Sequence, residues 1–399
     1  MNKDIKKILI VLTLYAFAGG IFYNFEELWL LENNMSIGTV STILSLCALI
    51  TVSVIFLSSN IIEQNKLKKF ACILISIKTL TLLALFFLYQ SNLNVLIKFL
   101  IMVDYAVDTE IYACIYPLIS IIAKEDKLYA VRGLIYDISF YIGAILVGLF
   151  LGKTISIITV SYNTYCIIAA VIMLIAGIFL YTIDMQKYIK DKYIEKNNND
   201  ILFRLFKKIK TDKISILYLC FLFFCEISYY SIMGILITIL TKELNLTPTY
   251  ASNLKLITGI IAVGIGTLIL AKLTLKNNYI NISIKYVVRF ISYLIPIFYF
   301  SKVAIIIGLF YTRLTSSSYS HVTDAPYINR FDNDEQFAFA NLKEMIVYLS
   351  RAIGTYLCGY ALIRNIKINF IIASVFIVIG TILAYLALYN LNKERSGVK

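Results

Sequence analysis

The chain alternates between long apolar runs and short polar stretches. A membrane-spanning helix needs about 20 mostly apolar residues. Twelve segments meet this requirement: 8–30, 37–59, 69–90, 95–120, 129–151, 157–183, 213–240, 250–273, 280–300, 303–328, 337–362 and 368–390. Most of the stretches between them are very short, but the polar linker 184–212 separates six segments from six. The pattern predicts an all-α membrane protein with twelve transmembrane helices in two groups of six.

The composition agrees with a multi-pass membrane protein. Hydrophobic residues make up 60% of the chain, charged residues make up 15%, and the mean hydropathy is +0.80. A soluble domain has about 25% charged residues. It would need that polar surface to cover its core.

The sequence has no signature of an enzyme or of a cofactor. All seven cysteines lie in apolar segments, and a single histidine, His321, cannot form a Cys/His metal site. P-loop, G-x-S-x-G and H-E-x-x-H motifs are absent from the sequence. We therefore expect no catalytic residues, no metal and no cofactor.

The positive charges predict the orientation in the membrane. Lys and Arg concentrate in the loops on the side of the N-terminus, and the linker alone has nine of them, counting Lys213 at its edge. Cytoplasmic loops carry this excess. We therefore expect a protein of the cell membrane with both termini in the cytoplasm. Topology and contact with anionic lipids account for the net charge of +13, and we expect no nucleic-acid partner.

Part of the linker has the pattern of an amphipathic helix. In "NDILFRLFKKIK", Asn199 or Asp200 is a candidate N-cap. The apolar residues of one stripe follow: Ile201, Leu202, Leu205, Phe206 and Ile209. We expect this helix to lie on the inner membrane surface and to tether the two halves.

The two halves show a weak internal repeat. "LLENNMSIGTVS" (30–41) is similar to "ILTKELNLTPTYAS" (239–252) at an offset of 211 residues. The same offset pairs Gly143 with Gly354, Gly148 with Gly359, and Arg132 with Lys343, while Pro117 and Pro326 pair at 209. A shared offset is the signature of a duplicated unit. It predicts two pseudo-symmetric six-helix bundles, residues 1–183 and 213–399, joined by the linker 184–212.

This layout resembles the major facilitator superfamily (MFS). The stretch "YNFEELWLLENNMSIGTVSTIL" (23–44) is similar to the first helix, outer loop and second-helix start of that family. The resemblance implies two bundles that rock about a central site and open to one side at a time. Secondary transporters generally bind their substrates near the midplane, between repeats.

Two family motifs are degraded or missing. The loop after the second helix usually reads G-x-x-x-D-R-x-G-R-R, whereas "SNIIEQNKLKK" (59–69) has Ser59 for the glycine, Glu63 for the aspartate and Gln64 for the arginine. Glu63 is thus a candidate for the gating loop. The segment "GLIYDISFYIGAILVGLFLG" (133–152) lacks the Gly-Pro and Gly-Gly of the family's drug antiporters. A drug-efflux function is not supported by this motif.

Several charged residues lie inside the predicted spans, where a charge near the centre costs at least about 2.5–3.5 kcal/mol. They are Glu26, Glu27, Asp104, Asp108, Glu110, Asp137, Glu226, Lys255, Arg289, Arg313, His321, Asp324, Lys343, Glu344 and Arg351. Glu26, Glu27, Arg132 and Lys343 lie near span ends, so snorkelling to the interface also explains them. The others are expected to face a wet cavity or an oppositely charged partner.

Asp104 and Asp108 are the leading candidates for proton coupling. They are four residues apart, so they share one face of the fourth predicted helix, whereas Glu110 is turned about 120° from Asp104. Two ionised carboxylates on one face repel each other, so one of them is expected to take up a proton. Alternatively, Asp104 or Asp108 pairs structurally with a cation on another helix. Glu226 is a second acidic candidate.

The repeat also suggests partners for these acids. The 209-residue offset pairs Asp104 with Arg313 and Tyr112 with His321. In the resembled fold the fourth and tenth helices face each other across the cavity. Opposite charges there would form an interbundle contact or hold a zwitterionic or anionic substrate. Further candidates for substrate binding or interbundle contact are Lys255, Arg351 and Asp137; His321 could shuttle protons or be only hydrogen-bonded.

The function predicted from sequence is secondary active transport. We expect a small organic solute to cross the membrane by alternating access, in symport or antiport with protons, and with export as the favoured direction. The alternatives are proton-coupled uptake of a sugar, amino acid or peptide, and a transporter-like lipid flippase or sensor. The expected partners are the solute, protons and membrane lipids, and the expected state is a monomer.

Overall fold

The computed structural model describes most of the chain. The described residues are 3–23, 26–61, 67–123, 126–150, 154–155, 158–159, 161–184, 198–247, 250–251, 253–254, 257–258, 261, 278–317, 327, 330–331 and 333–395. Everything said below of structure concerns these residues.

The first half of the chain is built from helices. They are α1 (Lys3–Tyr23), α2 (Glu26–Glu32), α3 (Ile37–Ile61), α4 (Leu67–Leu88), α5 (Asn94–Ala123), α6 (Asp126–Phe150) and α7 (Tyr162–Tyr181). A two-stranded antiparallel pair, β1 (Thr154–Ile155) and β2 (Ile158–Thr159), lies between α6 and α7.

The linker and the second half continue the helical architecture. Their helices are α8 (Asn198–Thr211), α9 (Lys213–Met233), α10 (Leu236–Glu243), α11 (Asn278–Ile282), α12 (Val288–Phe298), α13 (Lys302–Ser317), α14 (Asn333–Arg364) and α15 (Ile366–Arg395). A π-helical turn, Ser283–Val287, joins α11 to α12.

The helices confirm an all-α membrane protein. Among the described residues, seven helices are long and apolar enough to cross a membrane. The helices coincide with eleven of the twelve predicted segments, and the remaining one, 250–273, lies largely outside the described residues. The chain is therefore a multi-pass membrane protein.

Contacts within the chain define two compact units. Unit 1 contains residues 1–36, 53–196 and 246–256, and unit 2 contains residues 37–52, 197–245 and 257–399. Each unit thus includes a short piece from the other half of the sequence. The predicted boundaries 1–183, 184–212 and 213–399 stay a prediction.

In unit 1, α1 packs against α5, α6 and α7, and α4 packs against α5 and α7. Glycines allow α1 and α6 to approach closely. A Cβ atom on Gly20 would lie 1.9 Å from the carbonyl oxygen of Phe140, and one on Gly143 would lie 2.4 Å from that of Phe17. Small residues at such crossings let the backbones of membrane helices touch.

In unit 2, α9 packs against both α14 and α15. A Cβ atom on Gly354 of α14 would lie 2.9 Å from the carbonyl oxygen of Ile227 in α9. Gly354 and Gly143 are the pair matched by the 211-residue offset, and each is the glycine at which its helix meets the first helix of its half. Equivalent glycines in equivalent contacts support the duplication.

The amphipathic linker helix is confirmed as α8. Asn199 and Asp200, the two candidate caps, lie in its first turn. Leu205 and Ile209 are buried, and α8 packs against α9 and α14. This part of the apolar stripe therefore contacts protein, while Phe206 is 40% exposed.

Candidate functional site

A lysine and two aspartates form a largely buried ionic cluster in unit 1. The Nζ atom of Lys78 lies 3.2 Å and 3.1 Å from Oδ1 and Oδ2 of Asp104. The same atom lies 2.9 Å from Oδ1 of Asp108. The side chains of Lys78 and Asp104 are only 1% and 0% exposed. We call Lys78, Asp104 and Asp108 the ion cluster.

The packing of α4 on α5 explains how the ion cluster forms. Asp104 and Asp108 are one turn apart on α5, so both carboxylates are presented on the face that meets α4. Lys78 lies in the apolar run 70–88 and is its only charged residue. Isolated charges at this depth are costly, and pairing them offsets that cost.

Tyr23 of α1 completes the surroundings of Asp104. Its hydroxyl donates a hydrogen bond to Oδ2 of Asp104 at 2.7 Å. It also accepts one from Nζ of Lys78 at 2.6 Å. The ammonium group lies 4.7 Å from the centre of the Tyr23 ring, within the range of a cation–π contact. Three helices, α1, α4 and α5, thus hold Asp104.

The two carboxylates have different environments. Asp104 is fully buried and hydrogen-bonded to Lys78 and Tyr23. Asp108 is 20% exposed, and its Oδ1 atom forms an ion pair with Lys78 at 2.9 Å. One ammonium group faces two carboxylates, so the ion cluster has one more acid than base. Such an arrangement is suited to binding a proton or another cation.

Tyrosines surround Asp108. The hydroxyl of Tyr15 in α1 donates to the backbone carbonyl oxygen of Asp108 at 3.0 Å. The Tyr136 ring of α6 lies 6.1 Å from that of Tyr15 and 5.6 Å from that of Tyr112, between ring centres. Tyr112 follows Asp108 by one turn on α5 and is 41% exposed. The aromatic rings of Tyr15, Tyr112 and Tyr136 therefore lie near Asp108, the more exposed carboxylate.

Further buried acids of unit 1 lie outside the ion cluster, among them Glu26 and Glu110. Glu26 is buried and accepts a hydrogen bond from the hydroxyl of Tyr105 at 2.7 Å. The Tyr105 ring lies 5.2 Å from that of Tyr23, which links Glu26 to the ion cluster through aromatic packing. Glu110 is buried as well, on a face of α5 turned away from Asp104. Burial of Glu26 argues against the snorkelling explanation for this residue.

Unit 2 has a buried cation of its own, Arg289. Its Nη2 atom donates to the backbone carbonyl oxygen of Thr312 at 3.4 Å. Its guanidinium lies 5.9 Å and 5.8 Å from the ring centres of Tyr229 and Tyr286. Glu226 on α9 interacts with it electrostatically. The preceding π-helical turn contains a second buried cation, Lys285, and π turns are frequent at functional sites.

Arg351 of α14 also contacts aromatic rings in unit 2. Its guanidinium lies 5.6 Å from the ring centre of Tyr230 and 6.0 Å from that of Tyr348. Stacking of this kind orients the planar guanidinium group and leaves its edge for hydrogen bonds.

Lys78 and Arg289 are separated by 211 residues, the offset of the internal repeat. Lys78 lies on α4 and Arg289 on α12, the third predicted span of its half in each case. Lys78 donates a hydrogen bond to Asp104 on the next helix, α5, and Arg289 donates one to the carbonyl oxygen of Thr312 on the next helix, α13. A buried cation at this position is therefore common to both halves. In the first half it meets a carboxylate, and in the second half it meets a backbone carbonyl.

Several predicted site residues lie outside the described residues. Glu63, Lys255 and His321 are among them, and the side chains of Asp137 and Arg313 are not described either. Asp104 is paired with Lys78, and its predicted contact with Arg313 stays a prediction because the Arg313 side chain is not described. The charge pattern does not single out Lys78, although one lysine within the apolar run 70–88 is a signal for a buried pair. Among the described residues, no group of three or more His, Cys, Asp or Glu is placed to hold a metal ion.

No protein-family model matches the chain, and no curated protein sequence matches it. Its fold is similar to that of the nucleoside transporter NupG, with a TM-score of 0.69, 13% sequence identity, and coverage of 98% of this chain and 99% of that one. A bacterial homologue of the human drug peptide transporters PepT1 and PepT2 gives a TM-score of 0.68 at 10% identity, covering 98% of both chains. A bacterial homologue of the human lysosomal transporter Spinster gives 0.64 at 13% identity, covering 98% of both chains. The chain therefore has the fold of the major facilitator superfamily.

Proposed function

We propose that the protein is a secondary active transporter that moves a small organic solute across the cell membrane by alternating access, driven by protons. The observation that carries this proposal is the ion cluster. It is a buried ammonium group shared by two carboxylates, in a membrane fold that is similar to those of solved nucleoside and peptide transporters.

The proton coupling rests on the excess acid. If Lys78, Asp104 and Asp108 are all ionised, the ion cluster has a net charge of −1 in a site from which water is largely excluded. A proton on one carboxylate removes that charge. Because proton binding changes the charge of a buried site, it can favour one conformation of the protein over another. Asp104 and Asp108 are thus the coupling residues, and Glu226, which interacts electrostatically with Arg289, is a second candidate.

The other parts of the proposal concern the solute and the architecture. Arg289, Arg351 and Tyr112 are candidate contacts for the solute, together with Lys255, His321, Asp137 and Arg313, while Glu63 is a candidate for the gating loop. The protein is a monomer with two pseudo-symmetric six-helix halves and both termini in the cytoplasm. Export is the favoured direction.

The test is solute transport by purified protein in proteoliposomes with an imposed pH gradient. The panel contains nucleosides, di- and tripeptides, sugars, amino acids, and organic cations and anions, each assayed in both directions. The expected result is accumulation or depletion of one solute class that requires the gradient and is abolished by a protonophore. Solute binding without flux would instead indicate a sensor. Lipid movement without solute flux would indicate a flippase.

A further inference from the structure

The geometry of the ion cluster divides its two carboxylates into a fixed one and an exchangeable one. Asp104 is 0% exposed and accepts hydrogen bonds from both Lys78 and Tyr23. A new ligand would have to break these bonds to reach it. Asp108 is 20% exposed, and its Oδ1 atom forms an ion pair with Nζ of Lys78 at 2.9 Å. Asp108 is therefore the carboxylate that can change its partner at the lower cost.

Among the described residues, the groups that face Asp108 are one cation, one further carboxylate and several aromatic rings. Lys78 faces it from α4, Tyr15 and Tyr23 from α1, Asp104 and Tyr112 from its own helix, and Tyr136 lies behind Tyr15 and Tyr112 on α6. Among these groups only Lys78 is positively charged, and Asp104 already takes up its charge. A ligand that approaches Asp108 thus meets a negative site beside aromatic faces.

That combination selects for organic cations. The faces of aromatic rings carry negative charge density and attract ammonium groups, and a carboxylate adds a direct ion pair. Tyr112 is 41% exposed and one turn from Asp108, so its ring lies on the same side of α5 as the carboxylate. An anionic ligand would meet repulsion at the same place, and a neutral one would leave the excess charge of the ion cluster unmatched.

We infer that Asp108 binds either a proton or the ammonium group of an organic cation, but not both, while Asp104 stays paired with Lys78. This inference rests on the proposed transport function and names its substrate class. When the cation binds, the proton on Asp108 leaves for water; when a proton returns, the cation loses its ion pair. The exchange conserves the charge of the ion cluster and makes proton entry and cation release two halves of one cycle.

The experiment is equilibrium binding of benzyltrimethylammonium to the purified protein, measured by calorimetry without any gradient. This quaternary ion has no titratable proton, so any pH dependence belongs to the protein. Competition for one carboxylate predicts that the affinity falls with decreasing pH, with a limiting slope of about tenfold per pH unit. It also predicts release of one proton per cation bound when Asp108 is protonated, which is measured by comparing buffers of different ionisation enthalpy. Affinity that stays constant as the pH is lowered to the limit at which the protein remains folded would overturn the inference.

Variants separate Asp108 from its neighbours. Asp108→Asn is expected to lower the affinity by at least about tenfold and to remove the pH dependence. Asp108→Glu keeps the charge and is expected to retain both the affinity and its pH dependence. Glu110→Gln, an acid on another face of α5, serves as the matched control and is expected to bind as the wild type does. Equal binding by wild type and Asp108→Asn would contradict the inference, provided that both elute as monodisperse protein.

The aromatic contribution is tested at Tyr112. Tyr112→Leu is expected to weaken binding by about 3- to 30-fold, because it removes the ring, whereas Tyr112→Phe retains the ring and the affinity. Binding of benzenesulfonate with the same Asp108 dependence would overturn the substrate class. Because binding is measured without a gradient, failure here leaves the transport proposal standing if another solute class shows proton-driven flux. Absence of all flux, with cation binding intact, would instead contradict the transport proposal.

Discussion

The Nζ atom of Lys78 lies 3.1 Å from Oδ2 of Asp104, and neither side chain is exposed beyond 1% of its surface. Such a pair does not by itself stabilise a fold more than two apolar residues of similar size would. The presence of this charged pair between apolar helices therefore indicates a role beyond packing. Removing one partner, however, leaves the other as an uncompensated buried charge, which lowers the stability. The contribution of the pair can therefore be tested by single substitutions.

Replacing Lys78 by methionine should destabilise the protein by about 3–5 kcal/mol, because two carboxylates then lose their shared cation. The double variant Lys78→Met, Asp104→Asn should recover part of this loss. Thermal unfolding of the purified proteins measures both effects. Lys69→Met is the control, since Lys69 is an exposed lysine on the same helix. Equal stabilities of Lys78→Met and Lys69→Met would show that the ion cluster does not contribute in this way.

The two aspartates should differ when each is replaced by asparagine. Asp108→Asn should abolish gradient-driven transport, because the exchangeable carboxylate is lost while the Lys78–Asp104 pair remains. Solute exchange without a gradient should then require a higher solute concentration, because a cationic solute loses its ion pair. Asp104→Asn should lower the unfolding temperature more than Asp108→Asn does, because Asp104 is more buried and has more hydrogen bonds. The checks are paired flux assays, with and without a pH gradient, and thermal unfolding. Normal driven transport in both variants would exclude this pair as the coupling site.

The crossing of α1 and α6 offers a test of the fold through two neighbouring glycines. A Cβ atom at Gly20 would lie 1.9 Å from the Phe140 carbonyl oxygen, whereas the nearest atoms to one at Gly19 are 3.7 Å away. Gly20→Ala should therefore force the helices apart and cost about 1–3 kcal/mol, while Gly19→Ala should be tolerated. Thermal unfolding of the two variants gives the comparison. A similar loss in both would mean that helix contact at Gly20 is not the cause.

The structural result at Asp104 and Asp108 illustrates what a sequence can and cannot predict. Helical spacing alone places both on one face of α5, and in the structure both carboxylates lie within 3.2 Å of one ammonium group. That cation is 26 residues away from Asp104, on another helix. Spacing rules describe neighbours within a helix, and they contain no information about which helix packs alongside. Lys78 has no charged neighbour within its own apolar run, so only the packing of α4 on α5 identifies its role.

The internal repeat contains more information than its weak matches suggest. The offset that pairs Gly143 with Gly354 also separates Lys78 from Arg289, and the two members of each pair contact the corresponding neighbouring helix of their own half. The π-helical turn Ser283–Val287 has no counterpart in the sequence pattern, because apolar periodicity does not distinguish one extra residue in a turn. Neither Lys255 nor His321 can be assigned a position, since both lie outside the described residues.

At the start of α9, Asp212 both caps the helix and binds Arg330. Its side chain accepts a hydrogen bond from the backbone N–H of Ile214 at 3.2 Å. Nη1 and Nη2 of Arg330 donate to Oδ2 and Oδ1 of Asp212 at 2.7 Å and 3.3 Å. Burial alone would raise the pKa of Asp212, but the hydrogen bonds from Arg330 and Ser215 outweigh burial and hold that pKa below its ordinary value of 3.8.

Substitutions at Asp212 should separate the cap from the charge. Asp212→Asn keeps a good N-cap and loses the ion pair, so it should cost about 1 kcal/mol or less, while Asp212→Ala should cost about 0.5–2 kcal/mol more. Because the pKa is lowered in the folded state, the contribution of the charge is present above pH 3.8 and is lost as the pH falls through the folded pKa. The unfolding temperatures of wild type and Asp212→Asn should therefore converge under acid conditions, whereas Asp212→Ala should stay below both. If the difference in unfolding temperature between wild type and Asp212→Asn does not change with pH, the effect is due to side-chain shape and not to charge.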